Sequence, residues 1–367
     1  MNVLQVNKFY YPKVGGVEEV VQNIAEGLPN QYTSRVLAAR SRGWGRSEQH
    51  NGINITKTSS LGVAMSVPLA PTFPIYLRAA ARDADVVHHH LPNPLSTISQ
   101  VTAGTSDSAV IATYHSDIVR QETALKVYKP VLQQFLNRVD RILVTSECLL
   151  NNSSILEPYE EKCEIVPLSI DLDVIDAEDP PPLNIDTTDS FILFVGRLNY
   201  YKGVEYLIDA MDRIGATLLI VGEGKRRSDL EQRARDRGVD DRIRFLGYVS
   251  NQKLPSLYYA ADLFILPSVE PSEAFGIVQL EAMARELPVV NTSLPTGVPW
   301  VSKDSRTGLT VPPRNAEALA DAINTLLQDD ARRRRYGEQA RERVERLFTR
   351  DRMLKKIQDI YEEESRY

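Results

Sequence analysis

The sequence predicts an α/β protein made of two consecutive doubly wound parallel-sheet domains, and three observations support that prediction. Short apolar runs alternate with amphipathic stretches along the whole chain, which is the pattern of βα units. The alternation lapses once, over 171–189, where Pro180, Pro181 and Pro182 stand in a row among many acidic residues. That is the composition of a linker. Finally, 367 residues exceed one ordinary core, since a domain takes roughly 150.

In the first half, strands are expected at Val3–Val6, Arg35–Ala39, Ile53–Thr58, Asp85–His89, Val110–Tyr114, Ile142–Thr145 and Glu164–Val166. Most are short apolar runs rich in β-branched residues and bounded by polar ones. Helical spacing marks Val17–Leu28 and Leu125–Val139. The pattern restarts with strands at Phe191–Val195, Thr217–Val221, Ile243–Leu246, Leu263–Leu266, Pro288–Asn291 and Leu309–Val311. Helices are expected there at Val204–Ile214, Arg226–Arg237, Ala274–Arg285 and Ala316–Gln328. The predicted organisation is an N-terminal domain over 1–170, a linker over 171–189 and a C-terminal domain over 190–349. A last helix, 350–367, is expected to pack back on the first domain. Sheets of this kind bind ligands beyond the carboxyl ends of their strands, so two of them in tandem predict a cleft between those ends. The tail Ala331–Tyr367 is helical and highly charged, and Arg332 to Arg335 read as a solvated helix face.

Composition excludes several classes. Hydrophobic residues form 43% of the chain and charged residues 25%, an ordinary globular balance rather than a disordered one. With 43 basic and 49 acidic side chains the net charge is −6, so nothing draws the chain to nucleic acid. Residues 1–170 are neutral with 15 of each sign, and the remainder carries the excess. Cys148 and Cys163 make neither a zinc set nor a CxxC pair, which suits a reducing, cytoplasmic compartment. Met1 leads straight into the first strand, without the pattern of a secretion signal. A long uncharged stretch lies between Lys57 and Arg78 and contains Pro68, Pro71 and Pro74. Prolines would forfeit backbone hydrogen bonds in lipid, so a loop leading into a short helix is expected there.

Three motifs could carry chemistry. Gly15-Gly16-Val17-Glu18 follows the first strand and opens a helix, where bare backbone and free N–H groups suit an anion; a plain turn would look the same. Gly196-Arg197-Leu198 and Lys202-Gly203 follow the strand Phe191–Val195. Two cations at a strand end can grip a diphosphate, arginine as a fork and lysine as a point charge. Glu273 and Glu281 stand eight residues apart, a little over two helical turns, so both could face one side of a helix. Glu281 lies in an otherwise apolar stretch and needs hydroxyl or cationic partners, which a ribose diol would supply. Glu273 would equally serve as a helix cap, and Glu281 as half of an ion pair.

Other features read as structural. Asp83-Ala84-Asp85 and Asp171-Leu172-Asp173 have a metal-binding form but lie away from strand carboxyl ends. His88-His89-His90 cannot converge on a metal, because neighbours on a strand point to opposite faces; His90, if it faced the loop, could touch an acceptor. Arg40, Arg42, Trp44 and Arg46, with the apolar stretch Leu61–Tyr76, could hold the first domain against an anionic membrane, or could simply be an exposed loop.

Taken in order, these residues resemble the retaining GT-B glycosyltransferases of family GT4, glycosyl transferases group 1, along essentially the whole chain. Pro288-Val289-Val290, Thr307-Gly308-Leu309 and Val311-Pro312-Pro313 fit the same pattern. The resemblance implies a GT-B fold, with the second domain binding a nucleotide sugar and the first an acceptor. It implies that Arg197 and Lys202 neutralise the donor diphosphate and Glu281 binds the ribose. Glu273 would face the transferred sugar, helped by the backbone of Phe275, Gly276 and Ile277. Gly15 and Gly16 would lie against the phosphate or the reacting centre, and His115 near the donor sugar and leaving group. Asp117 would approach the acceptor, and Tyr248 and Val249 would hold the base. Transfer would proceed with retention and without a metal or other cofactor. The donor would be GDP-mannose or a UDP-hexose, and the acceptor a glycan or lipid-linked saccharide.

The chain departs from the common family pattern at Pro267–Glu273, where Val269-Glu270-Pro271-Ser272 lengthens the segment and Ala274 replaces a glycine. This longer form, with Leu294-Pro295-Thr296-Gly297-Val298-Pro299, resembles a branch active in surface-polysaccharide assembly. A dehydrogenase would want Gly-x-Gly-x-x-Gly, and Gly222-Glu223-Gly224 lacks the third glycine. A sugar-nucleotide epimerase or a non-catalytic binder fits less well, because the cations and both glutamates are present.

Overall fold

A computed structural model describes residues 1–13, 15–104, 107–118, 122–177, 179, 180 and 190–365, with backbone alone over 122–127. The chain divides into two compact units: Met1–Leu168 together with the stretch from Asp351, and Ser169–Arg350.

Unit 1 contains strands β1 Asn2–Val6, β2 Thr33–Ala39, β3 Arg46–His50, β4 Ile53–Thr58, β5 Val63–Ala64, β6 Val67–Pro68, β7 Val86–Leu91, β8 Ala109–Tyr114, β9 Arg141–Val144 and β10 Cys163–Ile165. Eight form one sheet in the order β10-β9-β8-β7-β1-β2-β4-β3, while β5 and β6 make a separate hairpin. Seven of the eight run parallel and β3 is antiparallel to β4. Every residue of β7 and β8 is buried, as expected of central strands covered on both faces. One face packs Leu4, Val6, Leu37 and Val87 against the helix Phe73–Ala81. Val110, Ala112, Tyr114 and Ile142 on that face meet Leu132, Phe135 and Leu136 of the helix Glu122–Arg138. On the opposite face the helix Arg350–Glu364 buries Tyr361 against Gln5 and His88.

Unit 2 contains β11 Phe191–Val195, β12 Thr217–Val221, β13 Ile243–Gly247, β14 Leu263–Leu266, β15 Val289–Thr292 and β16 Gly308–Val311. The order is β13-β12-β11-β14-β15-β16, all parallel. Relative to its own first strand this is the doubly wound order 3-2-1-4-5-6. Its core joins Ile192, Phe194, Leu218, Ile220 and Ile265 to Leu207, Ile208, Leu319 and Ile323 of flanking helices.

Four expectations need correction. The stretch Leu61–Tyr76 is partly a hairpin, β5–β6, before its helix begins at Phe73. Arg46 lies on the edge strand β3 rather than in a loop. The helix expected over Ala274–Arg285 spans only Val278–Met283. Gly276 sits at φ +70, in the left-handed region that ends or delays a helix. The start of the expected linker is the short helix Leu172–Asp176, capped by the Asp171 carboxylate; residues 178 and 181–189 lie outside the described residues.

Candidate functional site

In each unit the order of the strands sets where a ligand can sit. In unit 2 the chain reverses direction across the sheet between β11 and β14, so the loops after these two strands diverge and open a crevice. The first loop carries Gly196, Arg197 and Lys202; the second carries Ser268, Glu273 and Gly276. Backbone contact joins the loops: the Val269 N–H donates to the Tyr201 carbonyl at 2.8 Å. Gly203, at φ +64, lies so close to the second loop that a Cβ would stand 2.1 Å from the Pro267 carbonyl oxygen. Only glycine allows that approach.

The join brings Lys202 and Glu273 together. Lys202 Nζ lies 2.6 Å from Glu273 Oε2, with the two side chains 9% and 10% exposed. The same oxygen accepts from Ser268 Oγ at 2.9 Å. A buried cation and carboxylate need such mutual compensation. Gly196 leaves the ammonium room, since a Cβ there would meet Lys202 Nζ at 3.3 Å. Arg197 is exposed on the same loop.

Glu281 has a different neighbourhood. Its Oε2 accepts from the Tyr258 hydroxyl at 2.7 Å, and the Arg285 guanidinium lies over the Tyr258 ring at 5.0 Å. The two glutamates therefore do not share a helix face as their spacing suggested: Glu273 is on the loop and Glu281 on the helix. Phe275 is buried against Trp300 and Phe348, and Ile277 is the residue before the helix Val278–Met283. Tyr248 and Val249 follow β13, Tyr248 with 78% of its surface exposed.

In unit 1 the reversal falls between β1 and β7. The loop after β1 ends at Gly15 and Gly16, where the helix Gly16–Gly27 begins. A Cβ on Gly16 would meet no atom within 4 Å, so the fold itself does not require a glycine there. His115 follows β8 and is 5% exposed. Burial, then the positive charge of Lys8, pushes its imidazole down to about 3. Lys8 is lowered by its own burial, partly offset by Glu18. His115, Lys8 and Glu18 therefore form one electrostatic group at the carboxyl end of this sheet. Lys8 was missed from sequence: a lone lysine two residues after a strand has no motif of its own. Tyr258 and Ser268 were missed because their role exists only through the glutamates they contact.

One expectation for unit 1 changes. His90 is fully buried, its Nε2 on Gln5 Oε1 at 2.9 Å and its Nδ1 on His115 Nε2 at 3.2 Å. It cannot touch an acceptor. Asp117 Oδ1 accepts from the Tyr114 hydroxyl at 2.6 Å and from Ser153 Oγ at 2.7 Å, which ties down the loop after β8. The histidine run divides as strand geometry requires: His88 and His90 share a face with ring centroids 4.5 Å apart, and His89 packs edge-on against Phe135 on the other. Among the described residues, no cluster of three potential metal-ligating His, Cys, Asp or Glu side chains occurs.

Known proteins match this chain from end to end. The family model for glycosyltransferase family 4 matches residues 14–174, and the model for glycosyl transferases group 1 matches residues 176–343. The O-antigen chain mannosyltransferase C of Escherichia coli is 30% identical over 98% of both chains. The D-rhamnosyltransferase WbpZ of Pseudomonas aeruginosa is 31% identical over 95% of this chain and 92% of its own. Among solved structures, Anabaena HepE in complex with UDP superposes with a TM-score of 0.81 at 19% identity, covering 99% of this chain and 100% of that one. The Thermosynechococcus elongatus sucrose-phosphate synthase gives 0.78 at 22% identity, covering 99% and 98%. With the GT-B plan of two Rossmann-like domains and relatives matched from end to end, the chain belongs to the family 4, group 1 glycosyltransferases.

Proposed function

We propose that this glycosyltransferase moves a hexose, mannose by preference, from a nucleoside-diphosphate sugar to a glycan or lipid-linked saccharide in surface-polysaccharide assembly, with retention of anomeric configuration. The observation that carries the reading is the Lys202–Glu273 pair at the β11–β14 reversal, with Arg197 on the same loop. Breaking a glycosidic bond to a nucleotide sends negative charge onto the departing diphosphate. A buried lysine, with an arginine on the same loop, stabilises that charge with little reorganisation. Before donor arrives, Glu273 keeps the buried ammonium compensated; with donor present, the diphosphate takes over that role and the carboxylate turns to the sugar. Tyr258 holds Glu281 for the ribose diol, with the Arg285 guanidinium over the Tyr258 ring. The two cations carry the neutralisation, so no metal enters this scheme. GDP-mannose is the first donor to try and UDP-hexoses the second, because the end-to-end relatives include a mannosyltransferase and a rhamnosyltransferase of bacterial origin.

Unit 1 would take the acceptor and touch the membrane that carries it. Trp44, Leu61, Met65 and Ile75 expose 86%, 75%, 67% and 70% of their surface. A backbone bridge between Gly43 and Ser60 ties the Trp44 loop to the β5–β6 stretch. Arg40, Arg42 and Arg46 flank the loop, the combination of apolar anchors and cations that anionic bilayers attract. Among the described residues, no helix is long and apolar enough to cross a membrane.

Incubation with GDP-, UDP-, ADP- and dTDP-sugars and a lipid-linked saccharide, with and without EDTA, tests the reading. One donor should give product whose one-bond C–H coupling at the new anomeric carbon shows retention, at the same rate in EDTA. Inverted product, or a rate that collapses in EDTA, would refute the proposed chemistry.

A further inference from the structure

On the face of the unit 1 sheet covered by the last helix, five polar side chains form one buried line. Gln5 of β1, His88 and His90 of β7, His115 after β8 and Tyr361 of the helix Arg350–Glu364 are each no more than 5% exposed. Strand register creates the line: Gln5 pairs with His88, and His90 with Thr113, so alternate residues on neighbouring strands share this face. Gln5 Nε2 donates to the Tyr361 hydroxyl at 3.0 Å, and Gln5 Oε1 faces His90 Nε2 at 2.9 Å. Tyr361 Oη lies 2.6 Å from His88 Nδ1, and His88 Nε2 lies 2.7 Å from Thr113 Oγ1. The line ends at His115, whose Nε2 lies 3.2 Å from His90 Nδ1.

With the Gln5 amide oxygen toward His90 and its NH2 toward Tyr361, the contacts allow one assignment of protons. Burial keeps the imidazoles neutral, His88 and His115 near 3 and His90 well below its ordinary value, so each ring carries a single N–H. The Gln5 amide oxygen can only accept, so the His90 proton is on Nε2. His90 Nδ1 is then a bare acceptor, and the His115 proton must be on Nε2 to meet it. In the other direction, the Tyr361 hydroxyl accepts from the Gln5 amide and spends its own proton on His88 Nδ1. That leaves His88 Nε2–H to donate to Thr113.

We propose that Tyr361, acting through Gln5 and His90, is a positioning residue that holds His115 as the Nε2–H tautomer and so presents Nδ1 as a hydrogen-bond acceptor for a substrate hydroxyl. The last helix thereby sets the chemistry of a residue far from it in sequence. Without the tyrosine hydroxyl the Gln5 amide NH2 loses the acceptor it has on this side. An amide turned end for end would donate to His90 and reverse the line.

The tautomer is read directly from the ¹⁵N shifts of histidine-labelled, full-length protein at pH 7. The wild type should show His115 with Nε2 protonated and Nδ1 bare. Tyr361→Phe, a same-shape change in a buried site, should bring the two His115 nitrogen shifts toward each other as both tautomers populate, and Gln5→Leu should do the same by removing the amide. The kinetic arm alone rests on the transferase reading: kcat in Tyr361→Phe should fall about 3- to 10-fold, the equivalent of one net hydrogen bond, with donor KM unchanged. A wild-type His115 protonated on Nδ1, or a tautomer unmoved by both substitutions, would overturn the proposal. Should no sugar nucleotide be turned over, the transferase reading fails while the nitrogen shifts still decide the relay.

Discussion

Lys202 and Glu273 illustrate how binding residues can be stability residues too. Removing one partner of a nearly buried pair leaves the other charge uncompensated, which typically costs about 3 kcal/mol. Lys202→Met should therefore lower the melting temperature of unit 2 by roughly 6–12 °C in calorimetry, and adding Glu273→Gln should restore much of that loss without restoring activity. Gly16 is the opposite case. Nothing in the protein lies within 4 Å of where its Cβ would be, and alanine suits a helix better than glycine. Gly16→Ala should leave the protein unchanged or about 0.5 kcal/mol more stable, while kcat/KM falls about 100-fold from the displaced substrate. A parallel loss of stability and activity would show that the glycine serves the fold.

At the scale of elements, the periodic strands of both sheets were legible because buried parallel strands are nearly continuous apolar runs. The edge strand β3, Arg-Ser-Glu-Gln-His, was not: it carries no apolar signal and forms by pairing with β4. The helix Pro94–Ala103 was also hidden, its start marked only by the Asn93 cap and Pro94 and its body rich in Ser and Thr. Glu273 and Glu281 were identifiable as a pair, but their geometry was not, because one glycine at positive φ moves the helix start past Glu273. The exposed apolar residues on the Trp44 loop, β5–β6 and the helix Phe73–Ala81 lead to a further expectation. Leu61→Glu with Ile75→Glu should abolish cosedimentation with anionic vesicles, and Arg40, Arg42 and Arg46 to Ala should weaken it and its salt dependence. Unchanged sedimentation in both variants would remove the membrane contact from the scheme.

For the whole molecule, the histidines divide the two units by pH. All five lie before residue 116, within unit 1. Burial pushes His88, His89 and His115 down to about 3 and His90 well below its usual value. The unfolded chain binds these protons near pH 6.5 and the folded chain does not, so stability is fully present above about 6.5 and falls as pH drops from there toward 3. The slope is up to about 1.4 kcal/mol per pH unit for each such histidine. Hydrogen exchange at pH 7 and pH 5 should show β1, β7 and β8 losing protection while β11, β12 and β14 retain theirs.

Calorimetric titration of GDP-mannose and a UDP-hexose into wild-type and Lys202→Met protein tests most directly whether the unit 2 crevice grips a sugar-nucleotide diphosphate. One donor should bind the wild type saturably, with EDTA present or absent, and about 100-fold more weakly after the substitution, as expected for a charge-assisted contact of about 3 kcal/mol. Equal affinity in the two proteins, or no binding of either nucleotide sugar, would contradict the role assigned to Lys202 and with it the proposed donor site.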